Sequence, residues 1–139
     1  MTAGYSGTPL AKKLGIKPGA RVLLRGAPKG FEDTLAGLPD DATVLRAARG
    51  APFDVMVSFH KKASALDGDI KAMRARMTPA AGLWIAWPKK SSGVATDVTE
   101  SIVRKTGLAS GLVDNKICAI DETWSGLRFV IRVADRRKK

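Results

Sequence analysis

The stretch RVLLRGAPKGF, residues 21–31, decides how the chain is read. Val22, Leu23 and Leu24 are three consecutive apolar residues, the pattern of a short strand buried on both faces. Gly26, Pro28 and Gly30 then form a turn, and a helix is predicted to open at Phe31 or Glu32. In open α/β sheets ligands sit at such strand-to-helix turns, outside the carboxyl ends of the strands. This turn carries Arg25 and Lys29 and no acid before Glu32.

Working outward, Thr8-Pro9 reads as an N-cap with proline at the first helical position, and Leu10, Ala11 and Leu14 form one face of a short helix that Gly15 stops. Downstream, residues 31–38 are predicted to form a short helix with acids in its first turn. Residues 43–47 form a second short strand. FDVMVSF (53–59) is a near-continuous apolar run, as expected of a strand buried on both faces. A helix capped by Ser64 or Asp67 runs to Met77, with Leu66, Ile70, Met73 and Met77 at helical spacing. GLWIAW (82–87) is another buried strand, closed by Pro88. A further helix is capped by Thr96 or Asp97, turns Val98, Ile102 and Val103 inward and stops at Gly107. Strands at 116–120 and 127–133 are joined closely enough to form an antiparallel hairpin. The pattern predicts an α/β fold: a three-layer, Rossmann-like, mainly parallel sheet with an antiparallel C-terminal hairpin strand. Residues 1–139 are read as one domain, with flexible ends at 1–8 and 134–139.

Composition bounds the function. The chain has 139 residues, 45% of them hydrophobic and 27% charged, as in a globular domain. No apolar run approaches the roughly 20 residues that span a bilayer, and the first residues lack the layout of a signal peptide, so no membrane insertion and a cytoplasmic location are expected. The single cysteine, Cys118, precludes an internal disulfide and reads as a buried strand residue. One histidine and one cysteine far apart offer no metal site. Lysine and arginine outnumber aspartate and glutamate 24 to 13, for a formal net charge of +11. That excess points to polyanionic partners, a nucleic acid or a nucleotide.

The order of elements from about residue 10 to residue 133 resembles a shortened S-adenosylmethionine-dependent methyltransferase fold. The closing helix, GLASGLVDNKICAI and WSGLRFVIRV resemble its ending most closely. The chain also resembles a family of short bacterial proteins that open with GYSGTPLAKKLGIKPG and carry a late GLVD…K…AID…WSGLRFV segment; that likeness implies a fold and no activity. The methyltransferase resemblance implies an acid at the end of the first strand, three alternating glycines after it, and an acid at the end of the second strand to hold ribose hydroxyls. Here Leu24 stands in the first acid's place, and Gly26 and Gly30 fit the outer glycines. Pro28 replaces the middle one, and Arg46 and Arg49 stand where the second acid belongs. On these departures S-adenosylmethionine binding is not expected, and no other cofactor is predicted. Against the fold it resembles, the chain also reads as one strand–helix unit short.

A basic edge is the sharper feature. The proposed parallel strands end in turn at Arg25 and Lys29; at Arg46 and Arg49; at His60, Lys61 and Lys62, with Ser64 behind; and at Lys89, Lys90, Ser91 and Ser92. In the predicted topology all four clusters share one edge with the helix N-termini, where anions are favoured. Trp87, beside Lys89, is placed to stack on a base. No catalytic pair is evident. The expectation is therefore a non-catalytic basic module that binds phosphate-bearing ligands or nucleic-acid backbone. The alternatives are a divergent S-adenosylmethionine- or nucleotide-using transferase, and a subunit of a larger assembly.

Overall fold

A computed structural model describes residues 8–136. Six strands form one sheet in the order β2-β1-β3-β4-β6-β5. They are β1 (Arg21–Arg25), β2 (Thr43–Leu45), β3 (Phe53–Phe59), β4 (Met77–Pro88), β5 (Leu112–Ala119) and β6 (Trp124–Ile131). β2, β1, β3 and β4 pair in parallel, and β6 lies antiparallel to both β4 and β5. The mainly parallel sheet with an antiparallel C-terminal strand is the architecture expected from the sequence. The expected flexible ends lie largely outside the described residues; within them, Val133–Asp135 form a 3-10 turn.

Both faces of the sheet are covered. α1 (Leu10–Leu14) and the 3-10 turn Phe31–Thr34 pack on one face, where Leu14, Val22, Leu24, Val57 and Trp84 share a core. α2 (Leu66–Arg74) and α3 (Glu100–Ala109) cover the other, where Ile70, Met73 and Val103 meet Leu23, Met56, Leu83 and Phe129. Alternation along each strand divides its residues between the two cores. Each large side chain fully buried in them contributes about 1.5–3 kcal/mol. The Trp84 indole N–H donates to the Leu14 carbonyl oxygen at 3.1 Å, so the largest buried ring also ties α1 to the sheet.

Several element boundaries differ from the sequence expectation. The helix expected at 31–38 is only the 3-10 turn Phe31–Thr34, because Gly37 takes a φ of +81° and Pro39 follows. The helix expected to reach Met77 ends at Arg74, and Met77 instead opens β4, pairing with Phe53. The last helix is capped by Thr99, whose hydroxyl accepts the Ile102 N–H at 3.2 Å, rather than by Thr96 or Asp97. Asp97 accepts the Ala63 N–H instead. Gly107 does not stop this helix but lies within it: a Cβ there would strike the Phe129 ring.

Gly107→Ala is thus expected to invert the usual helix preference. Alanine favours an exposed helix interior by about 1 kcal/mol over glycine, but here overpacking against Phe129 should cost about 1–3 kcal/mol. Urea unfolding of the variant checks this; a gain in stability would mean that α3 can shift off the sheet.

Candidate functional site

The chain leaves β1 toward β2 on one side and then returns past it to β3 on the other. The carboxyl ends of β1 and β3 therefore flank the topological switch point, where open α/β sheets leave a crevice. A crevice of about 400 Å³ lies here, lined by Gly26 and Pro28 after β1, Phe59, His60, Lys61 and Lys62 around the end of β3, Ala65, and Trp124. Phe59 stands edge-on to both Phe31 and Trp124, with ring centroids 5.0 Å apart in each pair, which gives the crevice a rigid aromatic wall. Gly26 and Gly30 both take left-handed backbone, with φ of +68° and +79°. A Cβ on Gly26 would stand 3.2 Å from the Phe59 carbonyl oxygen, so only glycine lets the turn run this close to β3.

The two strand-end arginines each hold a carboxylate brought from elsewhere. At the end of β2, Arg46 pairs bidentately with Glu32, Nε to Oε2 at 2.6 Å and Nη2 to Oε1 at 2.9 Å. Two of its remaining donors reach the carbonyl oxygens of Ala27 and Pro28, both at 2.9 Å, so one guanidinium braces the glycine turn. Hydrogen bonding from Arg46 holds the Glu32 carboxyl down at about 2, and it stays ionised in any ordinary buffer. At the end of β1, Arg25 Nη2 meets Asp69 Oδ1 of α2 at 2.8 Å.

His60 has partners that the sequence did not reveal. The Ser58 hydroxyl lies 2.6 Å from its Nε2, and Asp69 Oδ2 lies 3.7 Å from its Nδ1. The carboxylate favours the N–H on Nδ1, which leaves Nε2 to accept from Ser58. Burial pushes the imidazole below its ordinary value, Asp69 opposes that shift and Arg25 adds to it. His60 thus stands as a fixed, neutral ring in the crevice wall at neutral pH, not as a cation of its rim.

The other residues expected at this edge divide between two places. Lys61 and Lys62 join His60 in the crevice. Lys89 and Lys90 line a separate groove of about 460 Å³ between the end of β4, the start of α3 and β5, with Ser91 and Ser92 in the adjoining 3-10 turn. Trp87 borders that groove but is only 6% exposed and packs into the α2–α3 core, so it is a wall rather than an open stacking platform. Lys29 and Arg49 are exposed on the loops after β1 and β2. Among the described residues, no group of three histidine, cysteine or acidic side chains is placed to hold a metal ion. Among the same residues no helix is long and apolar enough to cross a membrane.

Sequence reasoning missed Glu32, Asp69 and Ser58 as site residues. Glu32 and Asp69 have the signature of first-turn helix acids, and Ser58 sits inside an apolar strand. Only the placement of β1, β2 and α2 gives the two acids a role, and Ser58 gains its own from His60 two residues along at the end of β3.

No protein-family model matches the chain, and no curated protein matches it. Solved structures do. A SAM dependent methyltransferase from Aquifex aeolicus is similar with a TM-score of 0.58 at 16% identity, over 86% of each chain. The Methanococcus jannaschii fibrillarin pre-rRNA processing protein is similar with a TM-score of 0.59 at 14% identity, over 88% of this chain and 73% of that one. Magnesium protoporphyrin IX methyltransferase from Synechocystis PCC 6803, solved with bound SAH, has a TM-score of 0.55 at 13% identity, over 82% of this chain and 75% of that one. The fold is therefore the methyltransferase-like Rossmann fold. Two expectations from sequence are corrected by this finding: the main reading as a non-catalytic basic binding module, and the exclusion of S-adenosylmethionine on the strength of Leu24, Pro28 and Arg46. The structural neighbours favour the transferase alternative. The three departures also weigh less in space than in sequence. Leu24 is core, Pro28 lines the crevice without closing it, and Arg46 carries Glu32.

His60 makes a testable contribution to stability. Its folded value lies below its unfolded one, so the unfolded chain binds more protons in the window between them. Stability therefore falls as pH drops from about 6.5 toward the folded value. In His60→Gln this slope should flatten between pH 7 and 5, read from urea midpoints; an unchanged slope would assign it to other groups.

Proposed function

We propose that the protein is a divergent S-adenosylmethionine-using transferase whose acceptor is anionic. The observation that carries the first half is the Glu32–Arg46 pair at the end of β2. It supplies, from the neighbouring turn, the carboxylate that the strand itself lacks. Each Glu32 oxygen accepts one guanidinium N–H, and the side chain is still 41% exposed. It is thus able to accept from a pair of vicinal hydroxyls. Gly26, left-handed and close to Phe59, presents backbone rather than a side chain at its place in the crevice wall. On these grounds the residues present fit the cofactor: Glu32 would hold the ribose hydroxyls, and the turn at 26–30 would pass beneath it.

Bound there, the cofactor would supply an electrophilic methyl group on a sulfonium. The chain's own residues bind and orient. Phe59 and Trp124 exclude water from one wall of the crevice, and His60, locked between Ser58 and Asp69, keeps its ring fixed. Lys61 and Lys62 on the rim, with Lys89 and Lys90 in the groove beside β4, favour an acceptor bearing phosphates, a nucleotide or a nucleic-acid strand. The net charge of +11 supports the same choice of acceptor.

Titration calorimetry with S-adenosylhomocysteine tests the cofactor half. Saturable binding is expected, weakened about tenfold or more in Glu32→Gln, the scale of one lost hydrogen bond to a charged group. No binding by the unaltered protein would overturn the reading. For the acceptor half, Lys61→Gln/Lys62→Gln should weaken oligonucleotide binding and reduce its salt slope by about 2. An unchanged slope would remove these lysines from the acceptor path.

A further inference from the structure

The opposite, amino-terminal edge of the sheet carries a cavity of about 340 Å³ that plays no part in the reading above. It lies between the loop Gly15–Ala20 and the first residues of β3 and β4, and its lining includes Lys17, Asp54, Thr78 and Arg128. Arg128 projects into it from β6. The guanidinium lies across Gly82 of β4, where any side chain would collide with it. A glycine inside a strand weakens it and commonly marks a close approach. Here the space is given to Arg128.

What Arg128 gains there is little. Among the described residues no carboxylate pairs with it, and its only hydrogen bond runs from Nη1 to the Asn115 side-chain oxygen at 3.3 Å. The cavity's one acid, Asp54, is engaged elsewhere: it accepts the Arg21 backbone N–H at 2.9 Å and the Thr78 hydroxyl at 3.1 Å. Burial, with Arg136 nearby, pushes the Arg128 guanidinium below its ordinary value. A half-buried, weakly partnered guanidinium is costly unless an anion completes it. Its planar fork matches a carboxylate or a phosphate.

We infer that this cavity is a second site, for a small oxyanion, a carboxylate or a phosphate, with Arg128 as its principal ligand and Lys17 as a flanking cation. The size of the cavity limits the occupant to a small molecule or a single terminal group. This site is independent of the proposed transferase reaction, since it sits at the other end of the strands.

The test is calorimetric titration of inorganic phosphate and, separately, of succinate at low salt into the unaltered protein, Arg128→Met and Lys61→Gln/Lys62→Gln. The expected result is saturable binding of at least one anion, lost in Arg128→Met and retained in the lysine variant. Binding of phosphate alone or succinate alone identifies which oxyanion the site takes. Without ligand, Arg128→Met should melt at the same temperature or higher, because the guanidinium contributes little to the empty fold. Absence of saturable binding by the unaltered protein would overturn the inference, as would undiminished binding in Arg128→Met. A melting temperature well below that of the unaltered protein would also do so, by marking Arg128 as structural.

Discussion

β3 lies between β1 and β4, with every residue but Asp54 buried, and this constraint organises the molecule. A parallel strand in that position cannot meet its neighbours through tight turns, so the chain must cross over the sheet between strands. Its two apolar faces must also both be covered. The crossovers supply α2 and α3 on one face, while α1 and the 3-10 turn Phe31–Thr34 close the other. The reversal from β2 back to β3 leaves the gap between the ends of β1 and β3. The crevice is a topological consequence of the buried sheet before any residue in it is chosen.

The chemistry at that gap is built from charges that are distant in sequence. Arg25 and Arg46 end adjacent strands, and in sequence they read as cations on an anion-binding edge. In space each is joined by an acid, Asp69 and Glu32, and the outcome is two carboxylates held at the places where the strands lack them. Exposed pairs of this kind add little stability, about 0–1 kcal/mol. Their significance is positional. Arg46 spends two donors on Glu32 and two on the Ala27 and Pro28 carbonyls, so the turn, the carboxylate and the edge strand are fixed as one unit.

The two edges of the sheet contrast physically. At the carboxyl edge Arg25 and Arg46 each hold a carboxylate, and further positive charge sits on Lys29 and Arg49 and on the lysines after β3 and β4. At the amino edge Arg128 is half-buried against a glycine and, among the described residues, pairs with no carboxylate. Likeness of fold to methyltransferases at 13–16% identity speaks to the first arrangement only through topology, and the same scaffold hosts many functions. The local arrangement of Glu32, His60 and Arg128 therefore carries the chemical argument.

The apolar runs at 22–24, 53–59 and 82–87 determined the buried parallel strands by themselves, because a strand covered on both faces is built mostly of apolar residues. The short connection between the strands read at 116–120 and 127–133 likewise determined the antiparallel ending. Helix limits were less legible: Met77 and Gly107 fit a helix end locally, and pairing with Phe53 and packing on Phe129 decided otherwise. The basic strand ends were plain in the sequence, since charge is a property of composition. Which of those charges are satisfied was not, because Glu32 reaches Arg46 across 14 positions, Asp69 reaches Arg25 across 44, and Trp84 finds Leu14 across 70. Such pairings depend on strand order and crossover, which only the folded chain fixes.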